Sequence, residues 1–127
     1  MALQTPLAKV RHLGSAKEGV NHWWWQRLTA ILLVPLSLWF VGSLWSLIAA
    51  GADRDDFVDW LSGPVAAVLM LLFLGATFYH LKLGLQVVIE DYVHGKCKWV
   101  LLILNTLLCL VLCLASLYSV ILIAVQG

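Results

Sequence analysis

The sequence predicts an all-α integral membrane protein with three transmembrane helices, and three observations support this fold class. Of the 127 residues, 62% are hydrophobic and 12% are charged, whereas a soluble domain draws about a quarter of its residues from charged types. The mean hydropathy is +0.93. The charged residues lie outside three charge-free runs, 28–52, 60–81 and 99–127, which contain 25, 22 and 29 residues.

Each of these runs is long enough to cross a bilayer as a helix. A hydrocarbon core about 30 Å thick needs roughly 20 helical residues, because only the helix itself satisfies its backbone groups in lipid. We therefore predict one membrane-anchor domain over 1–127, with an N-terminal segment 1–23 and helices near 24–50, 63–92 and 98–125. The first run starts too late and is too long for a cleaved signal peptide, so we expect it to remain in the protein.

The distribution of positive charge predicts the orientation of the helices, because loops rich in Lys and Arg stay in the cytoplasm. The first loop carries four aspartates and one arginine. Positive residues instead gather before the first helix and in the second loop: Lys9, Arg11, Lys17, Arg27, Lys96 and Lys98. We therefore expect a cytoplasmic N-terminus and a periplasmic C-terminus. Indole rings favour the membrane boundary, so we expect interfacial anchoring by the tryptophans near the span ends: Trp23, Trp24, Trp25, Trp60 and Trp99.

Several classes of function are disfavoured by composition and by missing motifs. The formal net charge of +1 gives no basic surface for nucleic acid. The sequence lacks a Gly-rich phosphate loop, a CxxC pair and an HExxH motif. Its three cysteines, Cys97, Cys109 and Cys113, are odd in number and two lie in an apolar run, which indicates small hydrophobic residues rather than disulfides. We expect no autonomous catalysis, and we expect the chain to act with protein partners.

The second predicted helix carries ionisable residues inside a span, which is a functional-site hypothesis by default. At about 100° per residue, one stripe of this helix contains Phe73, Ala76, His80, Gly84, Val87 and Asp91. Small residues one turn to each side of His80 would leave room for a flat ligand such as a porphyrin. Neutral imidazole is the usual axial ligand of a b-type haem, and a haem shared between two subunits takes one histidine from each. The alternative is an interhelical hydrogen bond from His80 to Thr29, Thr77 or Ser37.

Other polar residues lie nearer the cytoplasmic boundary. Asp91 and Tyr92 end the second span, where an acid and a phenol can supply a proton and a hydrogen bond to a quinone carbonyl. Helix-end solvation and interfacial anchoring are the alternatives. Arg27 can bind a haem propionate or a quinone oxygen, or extend to lipid phosphates. The role of His22 stays open, and Lys82 is predicted to lie about 200° around the helix from His80.

Three features of the sequence resemble a known family. They are the three-span layout, the stretch from Gly19 to Ala30 with its Arg-x-Thr-Ala ending, and the His-x10-Asp-Tyr segment from His80 to Tyr92. Within that segment, Gly84 and Gln86-Val87 lie at positions that match the family. The run from His22 to Arg27 also resembles the alphaproteobacterial members of that family. The chain thus resembles the hydrophobic membrane-anchor subunit of succinate dehydrogenase, respiratory complex II, of alphaproteobacteria and mitochondria.

The resemblance implies a four-subunit enzyme of the bacterial inner (cytoplasmic) membrane. This chain would pack in a helical bundle with a second anchor, the cytochrome b anchor subunit, below an iron-sulfur subunit and a flavoprotein subunit that carries FAD. Electrons from succinate would pass through the iron-sulfur clusters to ubiquinone. Haem b would be shared with the cytochrome b anchor, and membrane lipid would surround both anchors.

The resemblance also implies roles for individual residues. His80 would be an axial ligand of the haem iron, and Arg27 would contact the haem propionates or the quinone pocket. Tyr92 would donate a hydrogen bond to a quinone carbonyl, and Asp91 would support that site or its proton supply. His22 would lie in the haem pocket, although some relatives carry that histidine where this chain has Asn21.

Two alternative functions make different predictions. A haem-free structural anchor of a related quinone-reactive complex predicts that replacing His80 leaves cofactor content unchanged. A small transport or assembly protein predicts a proton relay through His80, Lys82 and Asp91 that works without redox partners. The absence of inverted repeats disfavours a transporter.

Overall fold

The computed structural model describes residues 16–127, with side chains from residue 19 onward. Over this range the chain forms four helices and no strand. They are α1 (Ala16–Ala49), α2 (Arg54–Ser62), α3 (Pro64–Tyr92) and α4 (Lys96–Gln126). Three of them are long and apolar enough to cross a membrane, with candidate spans Gly19–Ala49, Pro64–Tyr92 and Lys96–Gln126. The all-α fold class with three spans is therefore confirmed.

The helix boundaries differ from the predicted ones mainly at the start of the chain. The first helix is already present at Ala16, the first described residue, rather than near residue 24, and it includes the polar residues that precede the apolar run. Pro35 lies inside this helix, which continues to Ala49. Most of the predicted segment 1–23 lies outside the described residues, including Lys9, Arg11 and His12, as does the side chain of Lys17.

The first loop contains a short helix, α2, that the charge pattern did not predict. Asp53 caps its N-terminus, and its Oδ1 accepts hydrogen bonds from the backbone N–H groups of Asp55 at 2.9 Å and Asp56 at 3.0 Å. The Asp56 carboxylate accepts from the Asp53 N–H at 3.0 Å, which completes a capping box. The backbone N–H groups of Asp56 and Asp55 lower the pKa of the Asp53 carboxyl. These aspartates therefore start a helix as well as setting the charge of the loop.

Helix α3 lies between α1 and α4. This helix packs along α1 on one side and along α4 on the other, whereas α1 and α4 contact each other little. The Asn105 side chain is buried and donates to the Lys82 carbonyl at 3.1 Å, which joins α4 to α3. At the opposite end of α4, the Ser62 hydroxyl lies 3.4 Å from the Ile123 carbonyl. Residues on the side of α3 that faces α1 are therefore separated by the helix itself from residues on the side that faces α4.

At the end of the molecule where α2 lies, aromatic rings pack around a small buried core. We call this region the aromatic end. Its buried core consists of Leu61, Met70 and Val120. Around that core, Trp39 stacks on Trp60 at 5.8 Å between ring centroids. The neighbouring ring pair is Phe40 and Phe73, at 5.0 Å. Interfacial anchoring therefore does not describe Trp60 fully, because its ring packs against α1 and the buried core.

Candidate functional site

His80 lies in the middle of α3 and faces α1. Its Nδ1 is 2.8 Å from Oγ1 of Thr29, a side chain with 7% of its surface exposed. The Thr29 hydroxyl is also 2.7 Å from the Trp25 carbonyl, the usual acceptor one helical turn back. With the hydroxyl proton donated to Trp25, Oγ1 accepts from His80 Nδ1–H, and His80 Nε2 keeps its lone pair. The interhelical hydrogen bond considered as the alternative for His80 is thus present. Its partner is Thr29 rather than Ser37 or Thr77, and Thr77 bonds to the Phe73 carbonyl.

A groove between α1 and α3 opens beside His80. We call it the histidine groove, and its volume is about 540 Å³, within the usual range for ligand sites. It is lined by Gly19, His22, Trp23, Gln26, Arg27, Ala30, His80 and Val87. Two helices therefore bring His22, Arg27 and His80 to one site, although more than fifty positions separate the first from the last.

Two polar atoms at this groove are buried without a hydrogen-bond partner in the described part of the chain. They are Nε2 of His22 and Oε1 of Gln26. Such atoms are costly to leave unpaired, most of all away from water. Arg27 lies nearby, with its guanidinium carbon 5.5 Å from the centre of the Trp23 ring. The groove thus offers a cation and unused hydrogen-bonding capacity beside a histidine whose Nε2 is free.

The predicted stripe on the second span faces α1. Phe73 packs on Phe40, His80 bonds to Thr29, and Val87 lines the histidine groove. The expected gaps beside His80 are smaller than predicted. Ala76 is buried. A Cβ added to Gly84 would lie 3.6 Å from the Gln26 side-chain amide, an ordinary contact distance. Space for a flat ligand therefore opens along α1 rather than over Ala76 and Gly84.

Asp91 and Tyr92 occupy the last two positions of α3, beyond the histidine groove. Both are exposed, and 81% of the Tyr92 surface is accessible. The adjacent Glu90 instead accepts a hydrogen bond from Gln86 at 2.9 Å. The structure therefore separates the Asp91–Tyr92 pair from His80, and it leaves the pair free to contact molecules outside this chain.

Lys82 lines a different groove, between α3 and α4, which we call the lysine groove. Its volume is about 370 Å³, and its lining residues are Gly75, Phe78, Tyr79, Lys82, Thr106, Cys109, Leu110 and Cys113. Because His80 and Lys82 line separate grooves and Asp91 lines neither, the three residues of the relay hypothesis are not brought together.

Sequence reasoning missed Gln26 and the specific part played by Thr29. The signal was present in the spacing, since His22, Gln26 and Thr29 recur at intervals of four and three and so share one face of a helix. Among the described residues, no three His, Cys, Asp or Glu side chains cluster as a metal site. An axial haem ligand needs only one histidine from each helix that supplies it.

Comparisons with known proteins agree with the resemblance seen in the sequence. Residues 1–123 match the family described as succinate dehydrogenase/fumarate reductase transmembrane subunit. The chain is 39% identical to a Rickettsia bellii protein over 68% of each chain, and 36% identical to a Rickettsia conorii protein over 83% of each. A Paracoccus denitrificans protein is 25% identical over 91% of this chain and 88% of its own. All three are named succinate dehydrogenase hydrophobic membrane anchor subunit.

No solved structure matches the chain. The family match nevertheless covers nearly the whole sequence, and the three apolar helices agree with a multi-pass anchor. The chain therefore belongs to the succinate dehydrogenase/fumarate reductase transmembrane subunit family, as one of its membrane anchors.

Proposed function

We propose that this chain is the hydrophobic membrane anchor of a succinate:ubiquinone oxidoreductase, in which His80 is an axial ligand of haem b and Asp91 and Tyr92 contribute to ubiquinone reduction. One observation carries the haem assignment: the Thr29 hydroxyl engages Nδ1 of His80 at 2.8 Å, which leaves Nε2 for a metal. A ligating histidine commonly has its other ring nitrogen fixed by such a hydrogen bond.

The residues at the histidine groove fit a haem with propionate groups. Arg27 supplies a guanidinium, which forms charge-assisted hydrogen bonds to carboxylates. The buried Nε2 of His22 is a further polar atom that the described chain leaves unpaired, and an imidazole N–H can donate to a carboxylate. Haem b, when bound, supplies one-electron redox chemistry within the membrane. The second axial histidine would come from the cytochrome b anchor.

Asp91 and Tyr92 are proposed to act at the cytoplasmic boundary. Both side chains are exposed at the end of α3, which suits a site completed by other subunits. The Tyr92 phenol donates a hydrogen bond to a quinone carbonyl oxygen, and Asp91 supplies or relays a proton. Reduction of ubiquinone to ubiquinol takes two electrons and two protons. The electrons would come from succinate through FAD in the flavoprotein subunit and the clusters of the iron-sulfur subunit.

The proposed orientation places the N-terminus and the α3–α4 turn in the cytoplasm of a bacterium, and the C-terminus in the periplasm. Its support is the grouping of charge, since Arg27, Lys96 and Lys98 belong to one end of the helices. The opposite end carries the aspartates before and within α2. The inner membrane is then the location of the whole complex.

The haem proposal is tested on the complex purified through a tag on this chain. We expect the dithionite-reduced minus oxidised spectrum of the wild type to show a b-type α-band. His80→Ala should lose or shift this band while the other subunits are still recovered. His94→Ala is the matched control, because His94 is an exposed histidine of the α3–α4 turn, and it should leave the band unchanged. An intact wild-type complex without haem would overturn the assignment and favour the haem-free anchor.

The quinone proposal has a separate test, because Tyr92 lies outside the histidine groove. Tyr92→Phe removes one hydroxyl and should lower quinone reductase activity about tenfold or more, the scale of a lost hydrogen bond to a reacting group. Succinate oxidation with a soluble electron acceptor and the haem spectrum should stay unchanged. Wild-type quinone reduction by Tyr92→Phe would contradict the proposed role.

A further inference from the structure

Lys82 is a cation inside a membrane span that neither proposed cofactor site uses. The ion pair found within 4.0 Å among residues 19–127 is that of Arg54 and Asp55, so no described carboxylate compensates Lys82. A charged side chain at this depth faces a partner, a cavity or the headgroup region. The lysine groove is therefore the place to look for its counter-charge.

Apart from Lys82 and the Tyr79 phenol, the wall of the lysine groove is mostly apolar. The Thr106 hydroxyl donates to the Leu102 carbonyl at 2.9 Å, and the Cys109 thiol lies 3.5 Å from Oδ1 of Asn105. Because these polar atoms bond within the protein, they present little polarity to an occupant. Lys82 is the one charged residue among the described residues that line the groove. A ligand with an apolar chain and one anionic end matches this lining.

The two ends of the lysine groove differ in character. Lys82 and Thr106 line one end, while Gly75 and Cys113 line the other, since α3 and α4 run antiparallel. The Lys82 end points toward Trp99, which precedes Thr106 by seven residues, or about 10 Å along a helix. A lysine stem can extend along apolar surface toward a headgroup above it. The charged end of the groove thus faces the proposed cytoplasmic boundary.

We propose that the lysine groove binds an anionic phospholipid, with its phosphate at Lys82 and one acyl chain along Gly75, Cys109 and Cys113. Basic pockets between transmembrane helices on the cytoplasmic side bind anionic headgroups in this way. A lipid is favoured over a carboxylate of the cytochrome b anchor because the histidine groove lies across α3 from Lys82. This last step rests on the proposed haem site, since a haem partner at His80 leaves the α3–α4 side toward the membrane.

The proposal is tested by the lipid retained in the purified four-subunit complex. The complex is extracted from nanodiscs that contain phosphatidylglycerol and phosphatidylcholine in equal amounts, washed in neutral detergent, and its lipids are measured by mass spectrometry. Lys82→Met should lower the ratio of retained phosphatidylglycerol to phosphatidylcholine about fivefold, the size expected for one lysine contact with an anionic lipid. Lys82→Arg should keep the wild-type ratio.

A second variant tests the acyl-chain part of the groove without changing charge. A Cβ at Gly75 would meet no atom within 4 Å, so Gly75→Leu fills open space rather than clashing. It should reduce retained lipid of both kinds. Lys96→Met is the control, because Lys96 is exposed at the start of α4 outside the groove, and it should keep the wild-type ratio.

Two results would overturn the lipid proposal. One is an unchanged lipid ratio in Lys82→Met together with unchanged lipid in Gly75→Leu. The other is loss of the partner subunits in Lys82→Met, which would assign Lys82 to a carboxylate of another chain. The haem spectrum is recorded in parallel. A complex without haem but with lysine-dependent lipid would contradict the haem proposal alone.

Discussion

The aromatic end and the histidine groove are both built on α1 and α3, but the chain closes only the first of them. At the aromatic end, ring pairs such as Trp39–Trp60 surround the buried side chains of Leu61 and Met70. At the histidine groove, two buried polar atoms of His22 and Gln26 have no described partner. The aromatic end is therefore a folding element, whereas the groove keeps two buried polar atoms that no described residue pairs.

The largest stability effect is expected at the aromatic end. Leu61 is 3% exposed, and Leu61→Ala should lower the free energy of unfolding by about 2 kcal/mol, because truncation leaves a cavity. Val87→Ala, at the half-open groove, should change it by less than about 0.5 kcal/mol. Both values are measurable by SDS titration from mixed micelles, followed by far-UV circular dichroism. Equal losses in the two variants would remove the distinction between the regions.

Substitution of Thr29 is expected to affect stability less than substitution of Leu61 does. It should also alter the properties of the proposed haem. Thr29→Val keeps the shape of the side chain but removes the hydroxyl, and it should destabilise the fold by about 1 kcal/mol. It should also shift the midpoint potential of the proposed haem, because the hydrogen bond to Nδ1 tunes a ligating histidine. Thr29→Ser should restore the wild-type potential. An unchanged potential in Thr29→Val would show that Thr29 does not position His80.

The smallest effect is expected at the Asp53 cap, beside the aromatic end. The pKa of Asp53 is lowered in the folded protein by its bonds to the N–H groups of Asp56 and Asp55. The ionised cap therefore stabilises the protein above the ordinary aspartate pKa of about 4, and this contribution is lost as the pH falls through the lower folded value. Asp53→Asn should reduce the acid dependence of the melting temperature. The same slope in both proteins would rule out a role for this cap in acid stability.

Part of this architecture followed from residue patterns alone. Hydropathy placed three spans, since their length and apolar character are local properties of the chain. The stripe through Phe73, His80 and Val87 followed from helical periodicity, and it does face α1. The charge pattern alone does not reveal helix α2, because clustered aspartates are equally typical of a loop, although Asp53 and Asp56 have the spacing of a cap.

The contacts between helices were decided by tertiary structure. Periodicity gives the face on which a residue lies, but it does not give the helix that covers that face. From periodicity alone, Thr29, Thr77 and Ser37 are equivalent hydrogen-bond partners for His80. The packing of α1 on α3 places Thr29 beside His80. The same packing brought Gln26 against Gly84 and gave Lys82 a groove of its own. The sequence by itself determined which segments cross the membrane, because that depends on local transfer from water to lipid. Only the three-dimensional arrangement decided which polar groups meet, because interhelical hydrogen bonds require both directions and distances to match.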